Sequence, residues 1–240
     1  MATRAPRRSA QQRRRLILQS AQAVFAANSY ARVGTADLAK AAGISEPALY
    51  RYFPSKKDLF ISTLKASGAR LLEIWERLAM EVVNPLDVIW AIGLGYYHHL
   101  RSRSPMMKLL FEAISEADDP DIRRALHENF ASFIRFLQEN IEEAKRRGLI
   151  RQDVDTNVAA WQFMAMGLGL DLIHLLGFAK DIDRSAVEEW QRLYLSSILE
   201  KPGGSKPEGH FAGGGFDRSM VEDWRELYLE AVGEGSLGTG

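Results

Sequence analysis

Residues Thr35 to Leu59 (TADLAKAAGISEPALYRYFPSKKDL) constrain the fold of this chain more than any other stretch. Leu38, Ala39 and Ala42 share one face of a first short helix, and Leu49 and Phe53 recur four apart on a second. Gly43 falls just past the first helix, where a residue without a β-carbon takes positive φ at no steric cost. Ser45 is expected as the next N-cap and Pro47 suits the first turn. Ser55 starts a further helix. Turning Leu49 and Phe53 inward leaves Tyr50, Arg51 and Tyr52 pointing elsewhere. A helix, a tight glycine turn and a second short helix form a helix-turn-helix layout, whose second helix enters the DNA major groove.

The charge distribution supports a polyanionic partner. The formal net charge is +0, yet residues 1–60 carry eleven Lys/Arg against three acids, so that stretch stands at +8 and the rest at −8. Such a split implies that one end faces a polyanion while the remainder avoids it. With 240 residues the chain is long enough for one large or two small domains, and with no cysteine it has no disulfide, thiol nucleophile or cysteine zinc site. No run approaches a membrane span, the arginine-rich start lacks the apolar stretch of a signal peptide, and a cytoplasmic protein is expected.

No segment alternates with period two, so the chain is expected to be all-α. Residues 1–8 read as a basic arm. A helix follows from about Ser9 to Asn28, with Leu16, Ser20, Val24 and Asn28 on one side and Ile17, Ala21 and Phe25 beside them. Beyond the motif the pattern predicts helices over Ser55 to about Val82, Pro85 to Arg101, Pro105 to Ala117, Pro120 to Gly148 and Asp155 to Phe178. The last is apolar nearly all round, which implies burial or sharing with a second subunit. Near the end, Asp183–Leu195 (DRSAVEEWQRLYL) recurs as Asp217–Leu229 (DRSMVEDWRELYL), nine of thirteen positions being identical. Residues 201–216 between them read as a flexible linker. Val187, Trp190 and Tyr194, and their counterparts Val221, Trp224 and Tyr228, form one predicted stripe. The domain expectation is therefore a DNA-binding domain over 9–60 and a helical bundle over 61–200. An extra helix over 217–232, duplicating 183–198, and a tail over 233–240 follow. The extra copy either docks in a groove like that of the first or is a remnant of duplication.

The opening quarter resembles the DNA-binding domain of the tetracycline-repressor (TetR) family of bacterial transcription regulators. The resemblance rests on Thr35, Leu38-Ala39, Ala42-Gly43-Ile44-Ser45, Leu49-Tyr50, Tyr52-Phe53, Lys56 and Leu59. Many members carry glycine where this chain has Pro47 or Ala48, a departure that bears on which operator is read. The resemblance implies an N-terminal three-helix helix-turn-helix domain and a C-terminal helical bundle for ligand binding and dimerisation. It places base readout on Glu46, Pro47, Ala48, Tyr50 and Arg51, with Ser45 at the start of that helix. An arginine forks onto guanine, a carboxylate accepts from cytosine, and small apolar groups touch a thymine methyl. Thr35, Tyr50, Tyr52 and Lys56 are the expected phosphate contacts, with Lys57 beside them and the arm arginines Arg4, Arg7 and Arg8 along a groove or strand. Glu46 equally suits the helix dipole, and Tyr52 equally suits a half-core position.

The same resemblance implies a homodimer through about 155–178 and 183–199, a palindromic double-stranded DNA operator, and a small apolar effector that releases it. Candidate effector-binding residues are Trp75, Tyr96, Tyr97, Phe111, Phe133, Met164, Asp171 and His174. Trp90, Met106, Met107, Phe130, Met166, His98 and His99 are further possibilities. Adjacent histidines point about 100° apart on a helix, which leaves Asp171 and His174 as the better polar pair. Apolar positions beside Arg101, Arg103 and Lys108 suggest an acyl chain with an anionic head, such as an acyl-CoA. No cofactor, metal cluster or nucleophile–base pair is expected. The rival is a helical small-molecule-binding protein or enzyme that keeps the motif only as core and does not bind DNA.

Overall fold

The computed structural model describes residues 9–101, 105–180 and 182–199, without the side chains of 98–101, 105 and 179. The arm, the linker, the second copy and the tail lie outside the described residues. The helices are α1 (Ala10–Ala27), α2 (Thr35–Ala41), α3 (Glu46–Tyr50), α4 (Lys56–Glu81), α5 (Pro85–Arg101), α6 (Pro105–Ser115), α7 (Pro120–Arg146), α8 (Thr156–Leu175) and α9 (Arg184–Ile198). The all-α expectation is met. The described residues contain one isolated bridge, between Ile150 and Leu199, and no sheet.

Local signals set most boundaries. Ser9 and Gln12 form a reciprocal capping box on α1, Ser55 accepts the Asp58 N–H at 3.0 Å, and Asp155 and Asp183 cap α8 and α9 with their carboxylates. Pro85, Pro105 and Pro120 each occupy a first helical position, where the missing N–H costs nothing. The helix expected to run to Phe178 stops at Leu175, because Gly177 adopts φ +89° and turns the chain out.

The described residues form two compact units. The first holds 9–69 and 105–129, so α6 and the start of α7 group with the N-terminal helices; α6 lies along α1. The buried residues there include Ile17, Ala21, Phe25, Leu38, Leu49, Phe53, Leu59 and Phe60. Phe25 and Phe60 meet edge to face at 4.9 Å. Lys57 at the start of α4 bonds both Asp119 (3.1 Å) and Asp121 (2.9 Å) at the start of α7.

The second unit holds 70–101 and 130–199. Trp75 packs on Phe133 and Phe136 with centroids 5.2 and 5.8 Å apart. Helix α5 packs against α8 and α9. At the α5–α9 contact a β-carbon on Gly93 would lie 2.5 Å from the end of the Gln191 side chain, so a larger residue there would displace that amide. With its amide oriented to satisfy both ends, Gln191 donates to the Trp90 carbonyl (2.9 Å) and accepts from the Leu94 N–H (3.2 Å). These bonds explain why the expected α9 stripe is rotated. The buried line is Val187, Gln191, Leu195 and Ile198, while Trp190 and Tyr194 sit half-buried to one side. A polar residue replaces Trp190 at the centre because its hydrogen bonds are satisfied there. The Tyr194 hydroxyl donates to the Ala159 carbonyl at 3.0 Å.

Helix α8 is buried on one side only. Val158, Trp161, Leu172 and Leu175 are all at least 41% exposed and recur along one face, with Leu176 and Phe178 beyond. By length and composition alone α8 is long and apolar enough to cross a membrane, which corrects the expectation that no segment is; a third of that window is buried in its own chain.

Candidate functional site

The helix-turn-helix is closed by backbone chemistry. Ile44 N–H reaches back to the Ala39 carbonyl (3.0 Å) and Gly43 N–H to that of Lys40 (3.1 Å), with Gly43 at φ +64°. This double closure satisfies the carbonyls at the end of α2 and fixes the direction of α3. Ser45 stands at the N-cap position, but its hydroxyl makes no capping bond, contrary to expectation. Pro47 has no N–H to offer, and that of Ala48 is taken by the Ser45 carbonyl at 2.9 Å.

With Leu49 and Phe53 in the core, α3 presents the rest of its surface. Tyr50 is 47% exposed; Pro47 and Arg51 are exposed, and Ala48 and Tyr52 are half-buried. Glu46 is tied into the domain: the Thr35 hydroxyl donates to its carboxylate, and the Tyr50 hydroxyl lies 3.4 Å from Thr35 Oγ1. One polar chain thus links the start of α2 to both ends of α3. Lys56 is also engaged. Its ammonium donates to the carbonyls of Tyr30 (2.9 Å) and Val33 (3.2 Å) and sits 4.4 Å from the Tyr30 ring centroid. Hydrogen bonds to Asp121 and then Asp119 hold the Lys57 pKa above its ordinary value. Arg4, Arg7 and Arg8 lie outside the described residues.

Sequence reasoning did not single out Tyr30. It stands in a single 3₁₀ turn between α1 and α2, its N–H bonded to the Glu112 carboxylate of α6 and its carbonyl to Lys56. Its ring packs on Phe60 at 4.7 Å. The turn chemistry of Asn28-Ser29 marks a break there, but the pairing with a residue so distant in sequence is tertiary.

The effector candidates divide. Phe111 belongs to the first unit, as do Met106, Met107 and Lys108, whereas Trp75, Tyr96, Tyr97, Phe133, Met164, Asp171 and His174 belong to the second. Asp171 is fully buried, and its Oδ2 accepts a hydrogen bond from the Tyr96 hydroxyl across the α5–α8 contact. Its polar partner is thus Tyr96 on another helix and not His174 on its own. Burial raises the Asp171 pKa to about 6 against the opposing effect of the Tyr96 bond.

A glycine-closed pair of short helices with one apolar flank and an exposed polar flank, in a basic N-terminal segment, defines a helix-turn-helix DNA-binding protein. A family model described as bacterial regulatory proteins, tetR family, matches residues 17–63. Among similar proteins, the fatty acid metabolism regulator protein of Bacillus subtilis (strain 168) is 22% identical over 60% of this chain and 73% of its own length. The nucleoid occlusion factor SlmA of Marinobacter nauticus is 29% identical over 62% of this chain and 74% of its own. The solved structure of the fatty acid degradation regulator FadR from Bacillus halodurans superposes with TM-score 0.66 at 20% identity, covering 84% of this chain and 99% of that one, a likeness of fold. Residues 17–63 thus match the tetR family of bacterial regulatory proteins, and the described helices share the fold of solved TetR-type regulators.

Proposed function

We propose that the chain represses transcription by binding a palindromic operator as a cytoplasmic homodimer, and that a small apolar molecule bound in the second unit releases it. The observation that carries this is the surface of α3, where Pro47, Tyr50 and Arg51 stand exposed while Leu49 and Phe53 anchor the helix. Arg51 forks onto a base edge, Pro47 and Ala48 touch thymine methyls, and Thr35, Tyr50 and Tyr52 contact phosphates. Glu46 braces Tyr50 through Thr35. The exposed apolar face of α8 supports the homodimer, since α9 follows it and a two-fold pair of such faces would cover both. Helix α4 runs without interruption from Lys56 to Glu81 and so joins the motif covalently to the second unit; residues 65–75 are the lever. The effector must bind the operator-incompetent state more tightly, because equal affinity for both shifts nothing.

The test is fluorescence anisotropy on the DNA upstream of the chain's own gene and on sites selected from a random library. Tight binding to one palindrome, falling steeply with salt, is expected. Selection that enriches no sequence at low salt would favour the rival reading, a ligand-binding protein that does not read DNA.

A further inference from the structure

Helix α8 turns Met164, Gly167, Asp171 and His174 to one face at spacings of three and four. Tyr96 of α5 meets this face. Asp171 is 0% exposed, and its other oxygen, Oδ1, has no hydrogen-bond partner among the described residues. Unlike Gly93, Gly167 is not forced by close packing. A β-carbon there would meet the Tyr96 ring at an ordinary 3.7 Å, so glycine leaves methyl-sized room beside the ring, one turn from the acid. A buried acceptor with nothing to accept is costly, and native proteins retain one where a water, an ion or a ligand completes it.

We propose that Asp171, held by Tyr96 at Oδ2, offers Oδ1 to an amine carried on the apolar effector, so that the second unit selects apolar amines over apolar acids. This rests on the effector reading above and names its chemical class. An ammonium supplies both the missing donor and the opposite charge, in surroundings where a charge-assisted bond is at its strongest. An anionic head would face the carboxylate across the same gap.

The experiment is direct titration of the full chain at pH 7.5 with decylamine, decanol and decanoate, followed by calorimetry and tryptophan fluorescence. The wild type should bind decylamine at least about ten-fold more tightly than decanol, with decanoate weakest, since one such bond amounts to roughly a decade of affinity. Asp171→Asn should bring amine and alcohol within about two-fold of each other, about a decade of selectivity being lost. Asp171→Glu, which keeps a carboxylate, should retain the amine preference, and melting curves for both variants separate lost folding from lost selectivity. Decanoate binding as tightly as decylamine would overturn the inference, and so would an amine preference unchanged in Asp171→Asn. Failure of all three probes to bind the wild type would also overturn it, leaving a buried water as the occupant of Oδ1. Operator binding is measured separately on the same preparation. If it persists while the amine preference is absent, only this inference fails; if no operator is bound, the regulator reading fails as well.

Discussion

Lys56 separates a phosphate contact from a structural one. Its ammonium carries three N–H donors, of which two reach the carbonyls of Tyr30 and Val33, and it lies over the Tyr30 ring. Truncation in Lys56→Ala strands two part-buried carbonyls. At about 1 kcal/mol for each charge-assisted bond in a half-exposed setting, and about 0.5 for the ring, the loss is roughly 2 to 3 kcal/mol. For a chain of this size that lowers the melting temperature by about 5 to 10 °C in the absence of DNA. The third N–H remains for a phosphate. If it makes that contact, the slope of log affinity against log salt becomes shallower by about one per protomer. Calorimetric melting and salt-dependent anisotropy on Lys56→Ala read the two contributions separately. A melting temperature within a degree or so of wild type would refute the structural assignment, whatever happened to the slope.

Three further outcomes are expected. Arg51→Ala should weaken operator binding by about ten-fold or more and relax the preference at one base pair of each half-site, as sequence selection on the variant would reveal, with melting unchanged. The Asp171 carboxyl titrates at about 6 in the folded chain against 3.8 ordinarily, so its contribution to stability is complete below about pH 4 and is lost as pH rises through 6. The full swing is about 3 kcal/mol; urea unfolding of Asp171→Asn at fixed protomer concentration should therefore gain on wild type by that amount between pH 4 and 8, and a pH-independent difference would contradict the burial argument. Trp161→Glu or Leu172→Glu, each placing a charge on the exposed α8 face, should halve the mass seen in sedimentation and abolish operator binding; a dimer that survives both must use another face.

The elements legible in the sequence were those encoded by neighbouring residues. Gly43, Pro85, Pro105, Pro120 and the carboxylate caps act within a turn or two, so α2 to α7 begin where local chemistry says they should. The α3 surface was legible for the same reason, since Leu49 and Phe53 fix the rotation of a helix only five residues long. What escaped was determined by partners far along the chain. Glu46 pairs with Thr35, Lys56 with the carbonyls of Tyr30 and Val33, Glu112 with Tyr30, and Asp171 with Tyr96. Periodicity also misplaced the inward face of α9, because a hydrophobic pattern cannot anticipate that a glutamine finds two backbone partners beside Gly93.

That glutamine makes the chain a discriminating judge of its own duplicate. In the repeat the residue equivalent to Gln191 is Arg225, so a segment that copies nine of thirteen positions differs at the one that meets the α5 backbone. An arginine seated there would bring a guanidinium into a place 1% exposed in the native pairing, against Gly93 and the backbone of Trp90 and Leu94. Burying that unpaired charge costs several kcal/mol, which opposes what the shared Val, Leu and Tyr return. At this one position the α5 surface is therefore matched to the first copy and not to the sequence of the second.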